Sequence, residues 1–288
     1  MRLGIFAFLV LLCCAAPAAA QTAITLRAEP APIVDAEING RAVRLEVDLR
    51  FPSGLALSAA AARRLRVRQL PLMQIGVGIE GSDATLRGRI ARPRILFEGR
   101  AARAFAGVFG APVTTRADGV IGPGALPYDI ITIVLNPEPP GARDIVLPLE
   151  DADDWTVRTQ IGGQQFQVNF NVANSASVFN RTASRALDAT GDIPAAGAVA
   201  EMPLILGLRT MMQPVETELS VFGLPVRPAY ARTNAPLLGA TEDDAIVVRG
   251  EAEDAPPPIL VLGRSALSRC ASISVDRRSR RMTLRCAV

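Results

Sequence analysis

Residues 37–48, Glu-Ile-Asn-Gly-Arg-Ala-Val-Arg-Leu-Glu-Val-Asp, return further along the chain as Thr-Gln-Ile-Gly-Gly-Gln-Gln-Phe-Gln-Val-Asn-Phe-Asn at 159–171. Ile38 lies over Ile161, Gly40 over Gly163 and Asp48 over Asn171, all at one offset. In each copy a tight-turn pair, Asn39 with Gly40 or Gly162 with Gly163, interrupts an alternation of apolar and polar residues. Such pairs accept the positive φ of a two-residue hairpin turn. Val43, Leu45 and Val47, or Phe166, Val168 and Phe170, then share one face, so each copy predicts a half-buried β-hairpin. Both copies continue through small and hydroxyl residues, 51–58 and 174–180, into short helical stretches ending Arg63-Arg-Leu and Arg185-Ala-Leu. Phe97-Glu-Gly then aligns with Phe222-Gly-Leu, and Val120-Ile-Gly-Pro-Gly-Ala-Leu with Val261-Leu-Gly-Arg-Ser-Ala-Leu at a longer offset. The copies differ mainly by an insertion in the second, and the repeat unit is too long for a solenoid. An all-β chain of two similar lobes is expected, with the boundary in or after Asn136-Pro-Glu-Pro-Pro-Gly.

Residues 1–20 carry Arg2, an apolar run from Ile5 to Leu12 and an Ala18-Ala-Ala ending before Gln21, the pattern of a cleaved secretory signal. The run is too short to span a bilayer, and no later segment reaches the roughly 20 apolar residues required, so no stable membrane anchor is expected. The expected organisation is a signal at 1–20, a first lobe at 21–145 and a second at 146–288, in a periplasmic or secreted protein. All 31 basic residues are arginine, and the net charge of +3 is too small to imply a nucleic-acid partner. Arg277-Arg-Ser-Arg-Arg reads as a solvated hairpin tip, and the acidic runs at 151–154 and 242–244 read as linker and loop. A loop-rich insertion is expected from Asp243 to Pro258.

Cys270 and Cys286 flank a hairpin-like pattern, Ser272-Ile-Ser-Val-Asp, a turn, then Arg281-Met-Thr-Leu-Arg. Folding that hairpin sets the two sulfurs opposite one another, and a secreted compartment oxidises such a pair to a disulfide. The chain contains no His. That excludes a Ser-His-Asp or Cys-His nucleophile, an imidazole base and a His-ligated metal, and two isolated Cys cannot complete a zinc site. Gly76-Val-Gly-Ile-Glu-Gly leads into neither a phosphate loop nor a dinucleotide site, so no cofactor is expected. What remains for a duplicated β protein is acid chemistry shared between two carboxylates at a lobe interface.

The order of these motifs, twice over, resembles the aspartic peptidases, in particular the secreted bacterial relatives of retropepsins, with two pepsin-like lobes in one chain. The likeness covers most of residues 30–288: the hairpin ending at Asp48 or Asn171, the strand with Gly at 94–99 or 218–223, and the apolar-apolar-Gly element at 118–126 or 261–267. It implies that Asp48 and Asn171 occupy the two catalytic positions, where the family has Asp-Thr-Gly or Asp-Ser-Gly. It also implies a flap near Gly76 to Asp83 that closes over peptide. Here the turns read Asp48-Leu-Arg and Asn171-Val-Ala, without the hydroxyl or the Gly. An amide cannot share a proton as a second carboxylate does, and Arg50 beside Asp48 would hold that carboxylate ionised. Trp155 is expected in a core or interface, and Met202, Met211 and Met212 in a core or along a groove.

Three functional expectations follow. One is a secreted, catalytically inactive homologue whose inter-lobe cleft binds an extended peptide or unfolded segment. A second is an active aspartic-type endopeptidase with a non-standard site built on Asp48, either with Asn171 as a donor or by pairing Asp48 between two chains. The third is a structural envelope protein, favoured if side chains fill the inter-lobe groove.

Overall fold

The computed structural model describes residues 21–78, 85–189, 191–238 and 256–288. The signal at 1–20, the tip of the expected flap and most of the Asp243 to Pro258 insertion lie outside them. The described chain is all-β, with two short helices, Ala59–Arg64 and Arg181–Asp188. Ser58 Oγ accepts from the Ala61 N–H at 3.1 Å and Asn180 Oδ1 from the Ala183 N–H at 2.8 Å, so both helices start on a side-chain cap.

The repeated hairpins form as their alternation predicts. Ile33–Ile38 pairs antiparallel with Arg41–Val47, and Val157–Ile161 with Gln164–Asn171. At the two turns Asn39, Gly40, Gly162 and Gly163 all have positive φ, between 54° and 78°. Such a turn needs left-handed backbone at both central residues, which explains its Asn and Gly. Val43, Leu45, Val47, Phe166, Val168 and Phe170 are all buried.

From each hairpin a sheet grows with one strand order. In the nine-stranded sheet, Arg41–Val47 is followed by Gly119–Ile121, Leu55–Ser58, Ala106–Phe109, Thr85–Ala91 and Gln69–Gly78. In the seven-stranded sheet, Gln164–Asn171 is followed by Ile259–Gly263, Ser177–Phe179, Ala229–Leu238, Arg209–Val215 and Ala200–Pro203. Parallel contacts fall at the same two places in each, between the hairpin and the apolar-Gly strand and again one strand pair further on. The further hairpin, Arg94–Phe97 with Arg100–Arg103, adds to the nine-stranded sheet beside Ile33–Ile38. Its counterpart, Ser220–Val221 with Leu224–Pro225, stands as a separate two-stranded unit. The turns at Glu98 and Gly99 and at Phe222 and Gly223 set Phe97 against Val221, one residue off the sequence alignment with Phe222.

A third sheet runs across the two halves in the order Ala23–Arg27, Ile130–Val134, Cys270–Asp276, Arg281–Cys286, Arg143–Pro148. Ile131, Ile133, Ile273, Val275, Met282 and Leu284 are fully buried on one of its faces. The boundary expected between residues 145 and 146 falls inside Arg143–Pro148, which pairs along its whole length with Arg281–Cys286. Cys270 and Cys286 are cross-strand partners and form a disulfide. Asn136, at the start of the Pro-rich stretch, donates to the Cys270 carbonyl at 2.8 Å and ties that turn to the same hairpin. Trp155 is buried in the main core, its indole N–H without a partner among the described residues, and Met212 is fully buried. Among the described residues no helix is long and apolar enough to cross a membrane.

Candidate functional site

Asp48 follows directly on Arg41–Val47. Its N–H donates to the Ile121 carbonyl at 3.1 Å, and its own carbonyl accepts from the Phe51 N–H at 3.1 Å, so the chain turns at that residue. The carboxylate is spent within the turn. Oδ1 accepts from the backbone N–H and the Nε of Arg50, both at 3.0 Å, and Oδ2 from Arg50 Nη2 at 2.7 Å. The two side chains are 13% and 16% exposed. Burial by itself pushes the Asp48 carboxyl up, but the Arg50 charge and hydrogen bonds, with Arg116 further off, outweigh it and leave the group below its ordinary 3.8. Arg50 is correspondingly held above its ordinary range, burial being overcome by Asp48 and Glu46. A carboxylate bound this way is ionised and has no proton to donate.

Asn171 ends Gln164–Asn171 in the same manner. Its Oδ1 accepts from the N–H groups of Ala173 at 3.0 Å and Asn174 at 3.1 Å, and the residue is buried. The i to i+2 bond therefore recurs at both positions, made by a carboxylate in one and a neutral amide in the other. Gly122 and Gly263 lie against the two turns. A Cβ on Gly122 would come within 2.0 Å of the Phe51 carbonyl oxygen, and one on Gly263 within 2.2 Å of that of Ala176. Only glycine permits that approach, which accounts for the Gly of the repeated apolar-apolar-Gly element.

Sequence reasoning missed a second acid beside Asp48. Glu46 lies two residues earlier on the strand, hence on the same side. It is only 4% exposed, with its oxygens taken by Arg116 and by the Thr114 hydroxyl. Its partners stand about seventy residues away in sequence. The one sequence signal is the i, i+2 spacing of two acids, and alternation alone assigns Glu46 to an exposed face. Glu46, Asp48, Arg50 and Arg116 together form a charge-balanced quartet.

The quartet borders a groove of about 520 Å³ whose other wall, Asn174, Pro203, Leu204 and Leu206 to Arg209, belongs to the second half. The tip of the hairpin between Ala200–Pro203 and Arg209–Val215 bends into this space. Leu206 and Leu208 are buried in one cluster with Leu86, Phe109, Val113 and Val120 of the first half. Gly207, at φ 74°, rides so close to the first half that a Cβ would sit 2.5 Å from the Pro112 carbonyl oxygen. Part of the groove is therefore filled by apolar side chains, and the open remainder lies over charged ones. Gly76 and Val77 belong to the Gln69–Gly78 strand of the expected flap hairpin, where Leu72 and Met73 are exposed; the flap tip itself lies outside the described residues. The basic run expected as a solvated tip is partly docked. Arg277 donates to the carbonyls of Leu126 and Tyr128 and pairs with Asp153, and Arg278 pairs with Asp129.

No protein-family profile matches the chain, and no curated protein matches it.

Proposed function

We propose that this chain is a secreted, catalytically inactive relative of the two-lobed aspartic peptidases, whose inter-lobe groove receives an extended peptide segment. The shared strand order of its two large sheets supports the duplicated, pepsin-like reading, and so do the matched turns at Asp48 and Asn171. One observation carries the loss of activity: Arg50 grips both oxygens of Asp48 while a neutral amide stands at the matching position. Peptide hydrolysis by a carboxylate pair needs one ionised and one protonated member sharing a proton. Here only one of the two matched turn positions carries a carboxylate, which Arg50 keeps ionised, and Asn171 neither takes up nor releases a proton. The disulfide fits an oxidising compartment such as the periplasm.

A structural role without ligand draws on a separate observation, the burial of Leu206 and Leu208 in the groove. The two readings part on whether the space bordered by the charged quartet takes peptide.

The test is cleavage of a broad peptide library by the protein from about pH 3 to about pH 8, beside Asp48→Ala and with a transition-state inhibitor of aspartic peptidases. No cleavage under any condition is expected. Acid-dependent cleavage that vanishes in Asp48→Ala would overturn the inactive reading and establish an endopeptidase working from one carboxylate. Capture of library peptides without cleavage supports the groove as a binding site, and absence of capture supports the structural role.

A further inference from the structure

The nine-stranded sheet borders a second cavity that shares no lining residue with the Asp48 groove. It measures about 350 Å³ and is walled mainly by Phe51, Ile75, Val77, Ile90, Phe105 and Phe109. Beside it opens a depression of about 530 Å³, which shares Arg103, Ala104 and Phe105 with the cavity and adds Arg92 and Arg94. Both volumes lie in the range of small-molecule sites. An apolar chamber thus adjoins a basic vestibule, with Arg103 belonging to both.

Among the described residues the vestibule's charge is uncompensated. Arg94 and Arg103 are direct cross-strand partners in their hairpin, an opposition of like charges that costs stability. The Arg92 guanidinium stacks over the Phe105 ring, 4.0 Å from its centroid, at the junction of the two spaces. Among the described residues, none that lines either space is acidic. Among them, too, none of these three arginines is ion-paired. The arginine pairs described above, Arg50 with Arg116 and Arg277 with Arg278, come by contrast with carboxylates.

We infer that this is a binding site for a monomeric amphiphilic anion, with a hydrocarbon chain in the apolar chamber and a carboxylate or phosphate head on Arg92, Arg94 and Arg103. The head would relieve the repulsion between Arg94 and Arg103, and planar guanidinium forks match the oxygens of either group. The chain would cover Phe105, which is 53% exposed, and the partly exposed Ile75, Val77 and Ile90. Among the described residues, Ser53 and Arg103 are the only ones with polar side chains in the chamber. An extended peptide would bury its amides there with few side-chain partners, whereas a hydrocarbon chain has none to satisfy. The site does not rest on the peptidase-like reading.

The experiment titrates the full chain calorimetrically with laurate below its micellar concentration, and with dodecyl phosphate, dodecanol and acetate. Sedimentation with phosphatidylglycerol vesicles runs in parallel. Saturable one-to-one binding of laurate or dodecyl phosphate is expected, with dodecanol weaker by roughly tenfold or more because it lacks the charge. Acetate gives no measurable heat. Arg103→Glu weakens laurate by roughly tenfold or more with no fall in melting temperature, since Arg103 is exposed and a Glu opposite Arg94 removes the like-charge pair, and Arg103→Lys recovers part of the lost affinity. Equal affinity for laurate and dodecanol, an unaltered affinity in Arg103→Glu, or binding to vesicles alone overturns the proposal. Should Arg103→Glu not fold, the comparison of laurate with dodecanol on the unaltered protein decides.

Discussion

At Asp48 the bidentate contact with Arg50 more than offsets the effect of burial on the carboxyl, and the balance is directly measurable. With the folded value below the unfolded one, Asp48 contributes stability above its unfolded pKa, and that contribution is lost as pH falls through the folded value. In Arg50→Met burial is opposed only by the backbone N–H of residue 50 and by Arg116, so the Asp48 titration, followed by carboxyl carbon NMR, is expected to rise from its lowered position. A midpoint that stays low in the variant would show that the turn's backbone, not Arg50, holds the charge. The pair is also expected to be coupled in stability. Asp48→Ala and Arg50→Ala each leave a largely buried charge unpaired and cost about 2–3 kcal/mol, while the double variant costs less than their sum in denaturant melts. Asp48, Asn171 and the nearness of Arg50 were legible in the sequence because all belong to one short repeated turn. The Glu46, Thr114 and Arg116 cluster was not, because its partners meet only when a distant loop folds across the strand.

Among the elements, the hairpin tip at residues 204–208 reaches across and seals against the other half. Its geometry depends on Gly207, whose positive φ and 2.5 Å clearance to the Pro112 carbonyl exclude a side chain. Gly207→Ala is expected to destabilise the protein by about 1–3 kcal/mol through strain at that position and displacement of the tip. Differential hydrogen exchange then localises the loss to residues 204–208 and to Val113 and Val120. Uniform loss of protection over the seven-stranded sheet would show instead that the tip is secured by its own strands. The two hairpins ending at Asp48 and Asn171 could be read from alternation and turn residues, and so could the disulfide hairpin. The docking of the 204–208 tip could not, since Leu204 to Leu208 carry no periodic pattern and their burial is decided by Phe109 and Val113 of the other half. Arg277 and Arg278 follow the same rule: a run of arginines looks solvated until the Leu126 and Tyr128 carbonyls and the Asp129 and Asp153 carboxylates come to meet it.

In the whole molecule, the repeat made a common plan for the two large sheets legible, but not the sheet that joins them. Pairing of Ala23–Arg27 with Ile130–Val134, and of Ile130–Val134 with Cys270–Asp276, spans separations over which local pattern carries no information. This sheet hydrogen-bonds strands of the two halves to one another. A single core cluster contains Leu26, Leu45, Ile133, Phe170, Ile273 and Leu284. One cooperative calorimetric transition is therefore expected, with the ratio of calorimetric to van't Hoff enthalpy near unity. Two resolved transitions would show instead that the lobes at 21–145 and 146–288 unfold separately. The joining sheet also imposes an order of events on a ribosome that works from one end. Until the strand at Cys270–Asp276 has been synthesised, the edge of Ile130–Val134 that pairs with it is open. Between the synthesis of Ile130–Val134 and that of Cys270–Asp276 the emerging chain therefore carries a half-sheet with one bare edge, the arrangement that favours pairing with the wrong strand.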